Sequence, residues 1–205
     1  RALADVQARV GLPRVICAGN HGLEIGWPEG TWHHPDAEAA RPALAACAAA
    51  LRDALRDGPG IHVEDKTLSL AVHYRRAPDP DAARAHILQA ARTCTTGSPA
   101  LRLTGGKRVI NVLPPVEWDK GRALQTILTR LRLPPGAPIL YIGDDETDET
   151  AFRALAGRGD GIIVADAPPP TTAARAYLRS PDEVAALLEA LAEDGIPAAG
   201  AHTEG

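Results

Sequence analysis

Methionine is absent from this 205-residue chain, and aromatics are scarce: three Trp, three Tyr and one Phe. A core so short of rings must be filled by Leu, Val, Ile and Ala. The three cysteines, Cys17, Cys47 and Cys94, show no CxxC spacing. That pattern suggests neither a zinc site nor a disulfide framework, so a reducing, cytoplasmic setting is expected. No apolar run approaches the about 20 residues that span a bilayer, and no secretory signal is visible. Formal net charge is −4, which leaves no electrostatic footprint for nucleic acid or an anionic membrane. The expected partner is a small molecule; oligomeric state is left open. The missing Met has one more consequence. The chain opens on Arg1 inside a helix-like pattern, "RALADVQARVGL", with nothing before Ala2 to cap that helix. An internal fragment of a longer protein is therefore expected.

What remains is ordinary for a globular chain, 45% hydrophobic and 23% charged, and long enough for one large domain or two small ones. Residues 1–12 read as a helix stopped by Gly11. "PRVICAGNHGLEI" reads as two short apolar runs around a turn, and "WPEGTWHHPD" as a loop. Asp36 to Asp57 reads as one long Ala-rich helix. "IHVEDKTLSLAVHYR" is strand-like, with Leu68, Leu70, Val72 and Tyr74 on one face and Ser69, Ala71, His73 and Arg75 on the other. A helix opens at "PDPDAARAHILQAA", and a hairpin is expected around Gly105-Gly106. Then follow a helix over 119–131, a buried strand over 138–143, a helix from 148 to about 156, a strand over 161–165, and a last helix from about 181 to 193. The tail "GIPAAGAHTEG" is expected to fray. Strands alternating with helices after 119 predict a parallel α/β sheet. The middle reads as strands with two helices, a more α+β pattern, so an inserted second domain is expected, with 1–26 and 116–205 as one domain and 27–115 as the other.

"YIGDDETDETAF", residues 141–152, crowds Asp144, Asp145, Glu146, Asp148 and Glu149 behind an apolar run. Ligands sit at the carboxyl ends of parallel strands, and grouped carboxylates there suit a hard cation such as Mg²⁺. Thr147 is a plausible N-cap for the next helix. For Asp148 and Glu149 the alternative role is to complement the helix dipole, worth about 0.3–1 kcal/mol each. Lys120, in "VEWDKGRAL", falls at a helix start, where it opposes that dipole but would strengthen a phosphate site. The alternative for Lys120 is a solvated lysine.

"DKG" followed by "YIGDDETDETAF" resembles the haloacid dehalogenase phosphatase superfamily. "AGNHGLEI", "VEDKTLSLAVHYR" and "AYLRSPDEVAALLEAL" are most similar to its trehalose-6-phosphate phosphatases. The resemblance implies a Rossmann-like haloacid dehalogenase core with an inserted small α/β cap. It implies a Mg²⁺ cofactor and hydrolysis of trehalose 6-phosphate through an aspartyl-phosphate intermediate. By it, Lys120 orients nucleophile and phosphate, Asp144 binds the metal directly, and Asp148 supports the metal through water or a neighbour. Glu64, Lys66 and Arg75 match positions that read the sugar, and Asn20 and His21 are candidates in a Gly-flanked turn. For these two the alternative is an Asx-type turn with a structural His.

Family members carry a nucleophilic Asp in DxDGT, then a phosphate-holding Ser in SGR. Arg1 resembles the Arg of SGR, and neither the Ser nor DxDGT is in this chain. The lone DxD, Asp79-Pro80-Asp81, reads as a helix N-terminus. The chain by itself is thus expected to lack phosphatase activity. Many members also have Glu and Arg in the strand before DKG, where "VINVLP" places Asn111 and Leu113. Asn111 can still bond a sugar hydroxyl, but the carboxylate is gone. Two other readings stay open: a sibling phosphatase for another sugar phosphate, and an inactive phosphatase-like module of a fusion protein.

Overall fold

A computed structural model of the chain describes residues 1–96 and 101–193; the expected fraying of "GIPAAGAHTEG" lies outside them. The chain divides into two compact units, Arg1–Trp118 and Asp119–Gly205. The domain boundary expected at residue 26 falls inside a strand.

In the first unit, α1 (Leu3–Val10) ends on Gly11, whose φ of 65° is the left-handed conformation a glycine stop requires. An antiparallel sheet follows, β1 (Cys17–Gly19), β2 (Glu24–Trp27) and β3 (Gly30–His33). β3 corrects the expected loop: Pro28-Glu29 is a tight turn, and Gly30, Thr31, Trp32 and His33 pair back onto β2. The long Ala-rich helix is in fact two, α2 (Pro35–Ala39) and α3 (Arg41–Ala54). Pro42, without an N–H, is tolerated only in the first turn of the second. The expected single strand is likewise a hairpin, β4 (His62–Asp65) and β5 (Leu70–His73), turning through Thr67 at φ 70°. α4 (Pro80–Thr96) begins where Asp79 Oδ1 accepts from the Asp81 and Ala82 amides at 3.0 and 2.9 Å. That cap gives the DxD its structural role. The next hairpin is β6 (Arg102–Gly106) and β7 (Val109–Leu113). Its turn lies at Lys107-Arg108, so Gly105-Gly106 end a strand instead of forming the turn.

These last four strands form an antiparallel sheet in the order β4-β5-β7-β6. Leu70, Val72, Ile110 and Val112 bury one face against Leu44, Leu51 and Ile87 of α3 and α4. Register places Glu64, Ala71, Asn111 and Thr104 in one row across the other face.

Cys47 of α3 and Cys94 of α4 are joined by a disulfide, 47 residues apart in sequence and with Cα atoms 5.3 Å apart. This corrects the expectation of unpaired thiols: the two residues meet only because both helices cover the same sheet face. Closing a loop of that length contributes about 2–4 kcal/mol. Reduction, or Cys47→Ala with Cys94→Ala, should lower the urea midpoint accordingly, and an unchanged midpoint would contradict it.

The second unit contains α5 (Lys120–Leu131), β8 (Leu140–Gly143), α6 (Glu149–Ala154), β9 (Asp160–Val164), β10 (Ala176–Leu178) and α7 (Pro181–Glu193). The strands are parallel, in the order β10-β9-β8. β10 had no expectation from sequence. β8 is not the buried strand expected. Among the described residues it pairs only with β9, and Leu140 is 42% exposed. An edge strand keeps the apolar composition of a central one without its burial.

Candidate active site

The carboxyl end of β8 and the amino end of α5 meet at Asp148. α5 begins correctly because Asp119 caps it, accepting from the Arg122 amide at 2.8 Å. Gly121 lies so close to the Thr150 carbonyl that a side chain has no room there, and its amide donates to Thr150 Oγ1 at 3.1 Å. α5 is thereby held against the start of α6, with Lys120 at the junction.

After β8 the chain makes a 3-10 turn over Glu146–Asp148 before α6. Its cap is Asp145, not Thr147. Asp145 Oδ1 accepts from the Thr147 amide at 2.9 Å, the Thr147 hydroxyl at 2.6 Å and the Asp148 amide at 3.2 Å. The acid wins because its charged oxygen can take several donors at once. Asp148 closes a capping box from the other side.

Asp148 is 3% exposed, and both of its oxygens are occupied. Oδ1 accepts from Lys120 Nζ at 2.8 Å and the Tyr141 hydroxyl at 2.6 Å. Oδ2 accepts from the amides of Asp144 and Asp145 at 3.1 and 3.2 Å. A carboxylate offers about four acceptor directions, so Asp148 is saturated. Lys120 Nζ also reaches Asp145 Oδ1 at 3.1 Å. The Asp144 carboxylate is exposed and accepts no hydrogen bond among the described residues. Ligand oxygens of Asp144, Asp145 and Asp148 all lie within 4.8 Å of one another. An all-oxygen donor set with one uncommitted carboxylate fits a hard cation such as Mg²⁺. Asp144 also borders an open cavity of about 560 Å³, with Val164, Asp166 and Arg179 among its lining. Glu149 does more than suit a helix start: it ties the loop after β9, accepting from Thr172 Oγ1 at 2.6 Å and the Ala173 amide at 2.8 Å.

The charges are tuned accordingly. Burial pulls the Lys120 ammonium down, but its bonds to Asp148 and Asp145 outweigh that and hold it above its usual range. Burial, then the bond to Asp148, pushes the Tyr141 phenol far above its ordinary value. Partial burial pushes the Asp145 carboxyl up, but the Thr147 hydroxyl and Lys120 outweigh it and bring it from 3.8 to about 2. With the folded value below the unfolded one, the native state binds fewer protons. That contribution is present above about pH 4 and is lost as pH falls towards about 2. The urea midpoint should drop over this interval, and Asp145→Asn should shallow the drop; an unchanged slope in the variant would contradict the assignment.

The proposed sugar-reading residues lie in the first unit. Glu64 Oε2 is bonded to His73 Nε2 at 2.7 Å, with Lys66 Nζ at 3.6 Å. Burial raises the Glu64 carboxyl, but His73 and Lys66 together bring it below its ordinary value. Asn111 shares the face of Glu64. Arg75 is exposed and makes no hydrogen bond or ion pair among the described residues. His21 is exposed, in the left-handed conformation at φ 58°. Asn20 is 1% exposed and its amide is spent inside the protein. It donates to Glu24 and to the Lys66 carbonyl and accepts from Ser69 Oγ. It holds the turn carrying Lys66 and does not face solvent. Sequence reasoning passed over Tyr141, Thr104 and Arg179; strand period would have placed Tyr141 beside Gly143, whereas Thr104 meets Asn111 only through the register of the β6–β7 hairpin.

A family model described as trehalose-phosphatase matches residues 1–194. The chain belongs to the trehalose-phosphatase family. It is 43% identical over 199 residues to the trehalose-phosphate phosphatase of Mycobacterium tuberculosis (strain H37Rv), covering 94% of this chain and 50% of that protein. The Mycobacterium avium (strain 104) trehalose-phosphate phosphatase is 41% identical over 201 residues, with 94% and 51% covered. The chain thus spans about half the length of these family members. Among solved structures, the C-terminal domain of C. albicans trehalose-6-phosphate phosphatase aligns with a TM-score of 0.64 at 22% identity, over 94% of this chain and 76% of that one. A haloacid dehalogenase-like hydrolase from Bacteroides thetaiotaomicron aligns at 0.60 and 15%, over 92% and 81%. These likenesses establish the haloacid dehalogenase-like α/β fold for this trehalose-phosphatase family member.

Proposed function

We propose that the protein carrying this chain is a Mg²⁺-dependent phosphatase that hydrolyses trehalose 6-phosphate to trehalose and phosphate, a step of trehalose biosynthesis. The observation that carries this reading is the convergence of Lys120 and three carboxylates at the end of a parallel strand, in a family named for that reaction. In this reading a nucleophilic Asp upstream of Arg1 attacks phosphorus, the bond from phosphorus to the sugar oxygen breaks and trehalose leaves, and water then hydrolyses the aspartyl phosphate to phosphate and the free carboxylate. Lys120 neutralises phosphate charge and orients the nucleophile. Asp144 would hold the metal directly, with Asp145 and Asp148 supporting it. A bound Mg²⁺ supplies charge stabilisation at the phosphoryl oxygens. Glu64, Lys66, Arg75, His21 and Asn111 read sugar hydroxyls, and Asn20 serves by holding the Lys66 turn. Residues 1–26 and 116–205 would be the core and 27–115 the cap. The compartment proposed is the cytoplasm, where a disulfide such as Cys47–Cys94 is uncommon. Among the described residues no helix is long and apolar enough to cross a membrane.

Asn111 and Leu113, standing where many relatives have Glu and Arg, favour one second reading: a phosphatase for a different sugar phosphate. Phosphate release by the natural full-length protein with Mg²⁺ separates the two. Faster turnover of trehalose 6-phosphate than of sucrose or mannose phosphates supports the first. The reverse order supports the second, and no release from any of them removes both.

A further inference from the structure

We propose that Tyr141 is a positioning residue for the metal-binding turn, acting through Asp148. The inference rests on the reading of Asp144 as the cation ligand. Asp148 sits 3% exposed, and an anion at that depth needs charge and hydrogen bonds around it. Lys120 supplies the charge but is shared between Asp148 at 2.8 Å and Asp145 at 3.1 Å. A lysine on a flexible stem does not fix the plane of a carboxylate. Tyr141 does. Its ring packs edge-on against Phe152, with centroids 5.6 Å apart, and its hydroxyl donates to Asp148 Oδ1 at 2.6 Å.

Strand alternation puts Tyr141 and Gly143 on the same side of β8. Gly143 leaves the space that the Asp148 carboxyl fills, since any side chain there would run into it. With Oδ1 fixed by Tyr141, Oδ2 faces the amides of Asp144 and Asp145 and holds the backbone that presents the Asp144 carboxylate. Without the hydroxyl, Oδ1 keeps only the shared lysine. The carboxylate can then turn, and the two amides lose a fixed acceptor.

Tyr141→Phe keeps the packing on Phe152 and removes the one bond. Two measurements on the natural full-length protein test it, with Mn²⁺ as the probe. Mn²⁺ affinity, read by electron paramagnetic resonance, should weaken about tenfold, the usual loss for a partner that orients a metal ligand. Amide exchange at Asp144 and Asp145, measured without metal, should quicken. A residue that only stabilised the fold would lower Tm and leave Mn²⁺ affinity, read well below Tm, unchanged. Wild-type affinity together with wild-type exchange in the variant overturns the proposal. Should the unmutated protein bind no Mn²⁺, the reading of Asp144 fails, and the exchange rates alone decide the role of Tyr141. Should the variant not fold, the unmutated protein decides. Its Tyr141 hydroxyl proton should be visible by NMR in slow exchange with water, and a freely exchanging one overturns the proposal.

Discussion

In the reading proposed above, Asp144→Asn is expected to lower phosphate release from trehalose 6-phosphate by at least about 100-fold in the natural full-length protein, beyond the ten- to hundredfold typical of residues that merely orient a ligand. The reason lies in how the three acids divide their work. Asp145 spends one oxygen on Thr147, Lys120 and the turn amides, and Asp148 spends both on Lys120, Tyr141 and the strand-end amides. Only Asp144 has an unengaged carboxylate. Asn keeps its shape but removes the negative charge that a hard cation selects. Because the Asp144 carboxylate accepts no hydrogen bond among the described residues and its amide bond to Asp148 is kept by Asn, the substitution should leave stability within about 0.5 kcal/mol, as for a surface change. Activity and stability therefore separate: turnover collapses while the urea midpoint stays put. Retained turnover would overturn the proposal that Asp144 holds a metal. A falling midpoint would show that its carboxylate has a structural partner.

Much of this arrangement was legible in the residues. "DKG" and the acidic run pointed to Lys120 and Asp144, because a lysine at a helix start and carboxylates at a strand end are both locally unfavourable without a partner, and the structure brings Lys120 and the acids together. Period-two alternation assigned Leu70 and Val72 to the core face, and both are fully buried. What escaped depended on contacts distant in sequence or on competition between near-equal groups. The strand at Gly30–His33 exists because β2 offers it an edge, not because "GTWH" insists on extension. The Cys47–Cys94 bond needs two helices laid on one sheet. Thr147 and Asp145 both cap helices well, and only the turn geometry selects the acid. β8 reads as buried because its composition is apolar, while exposure follows from its place at the edge of the described sheet. Asn20 looked like a ligand-facing residue of a tight turn. Its burial follows from Glu24 of β2 and Ser69, just before β5, converging on it.

Asp148→Ala is the substitution expected to cost the fold most. The carboxylate is almost fully buried and serves four donors. Removing it strands the Tyr141 hydroxyl and two backbone amides and leaves Lys120 with Asp145 alone. Breaking one partner out of a buried pair costs about 3–5 kcal/mol; the Tyr141 hydroxyl and the Asp144 and Asp145 amides are only partly buried, so each adds less than the ~1–3 kcal/mol of a fully buried orphaned donor. Since Lys120 is 30% exposed, solvent screens its share, and a loss of about 3–4 kcal/mol is expected. Asp148→Asn should cost nearly as much. Its amide offers one oxygen and one NH₂ group, yet all four neighbours donate. Whichever way it turns, the NH₂ faces either the lysine and phenol or the two amides. A group that merely filled space would behave differently, with Asn mild and Ala severe. Urea denaturation of both variants distinguishes these cases: near-equal losses support the four-donor account, and a loss under about 1 kcal/mol for Asn would refute it.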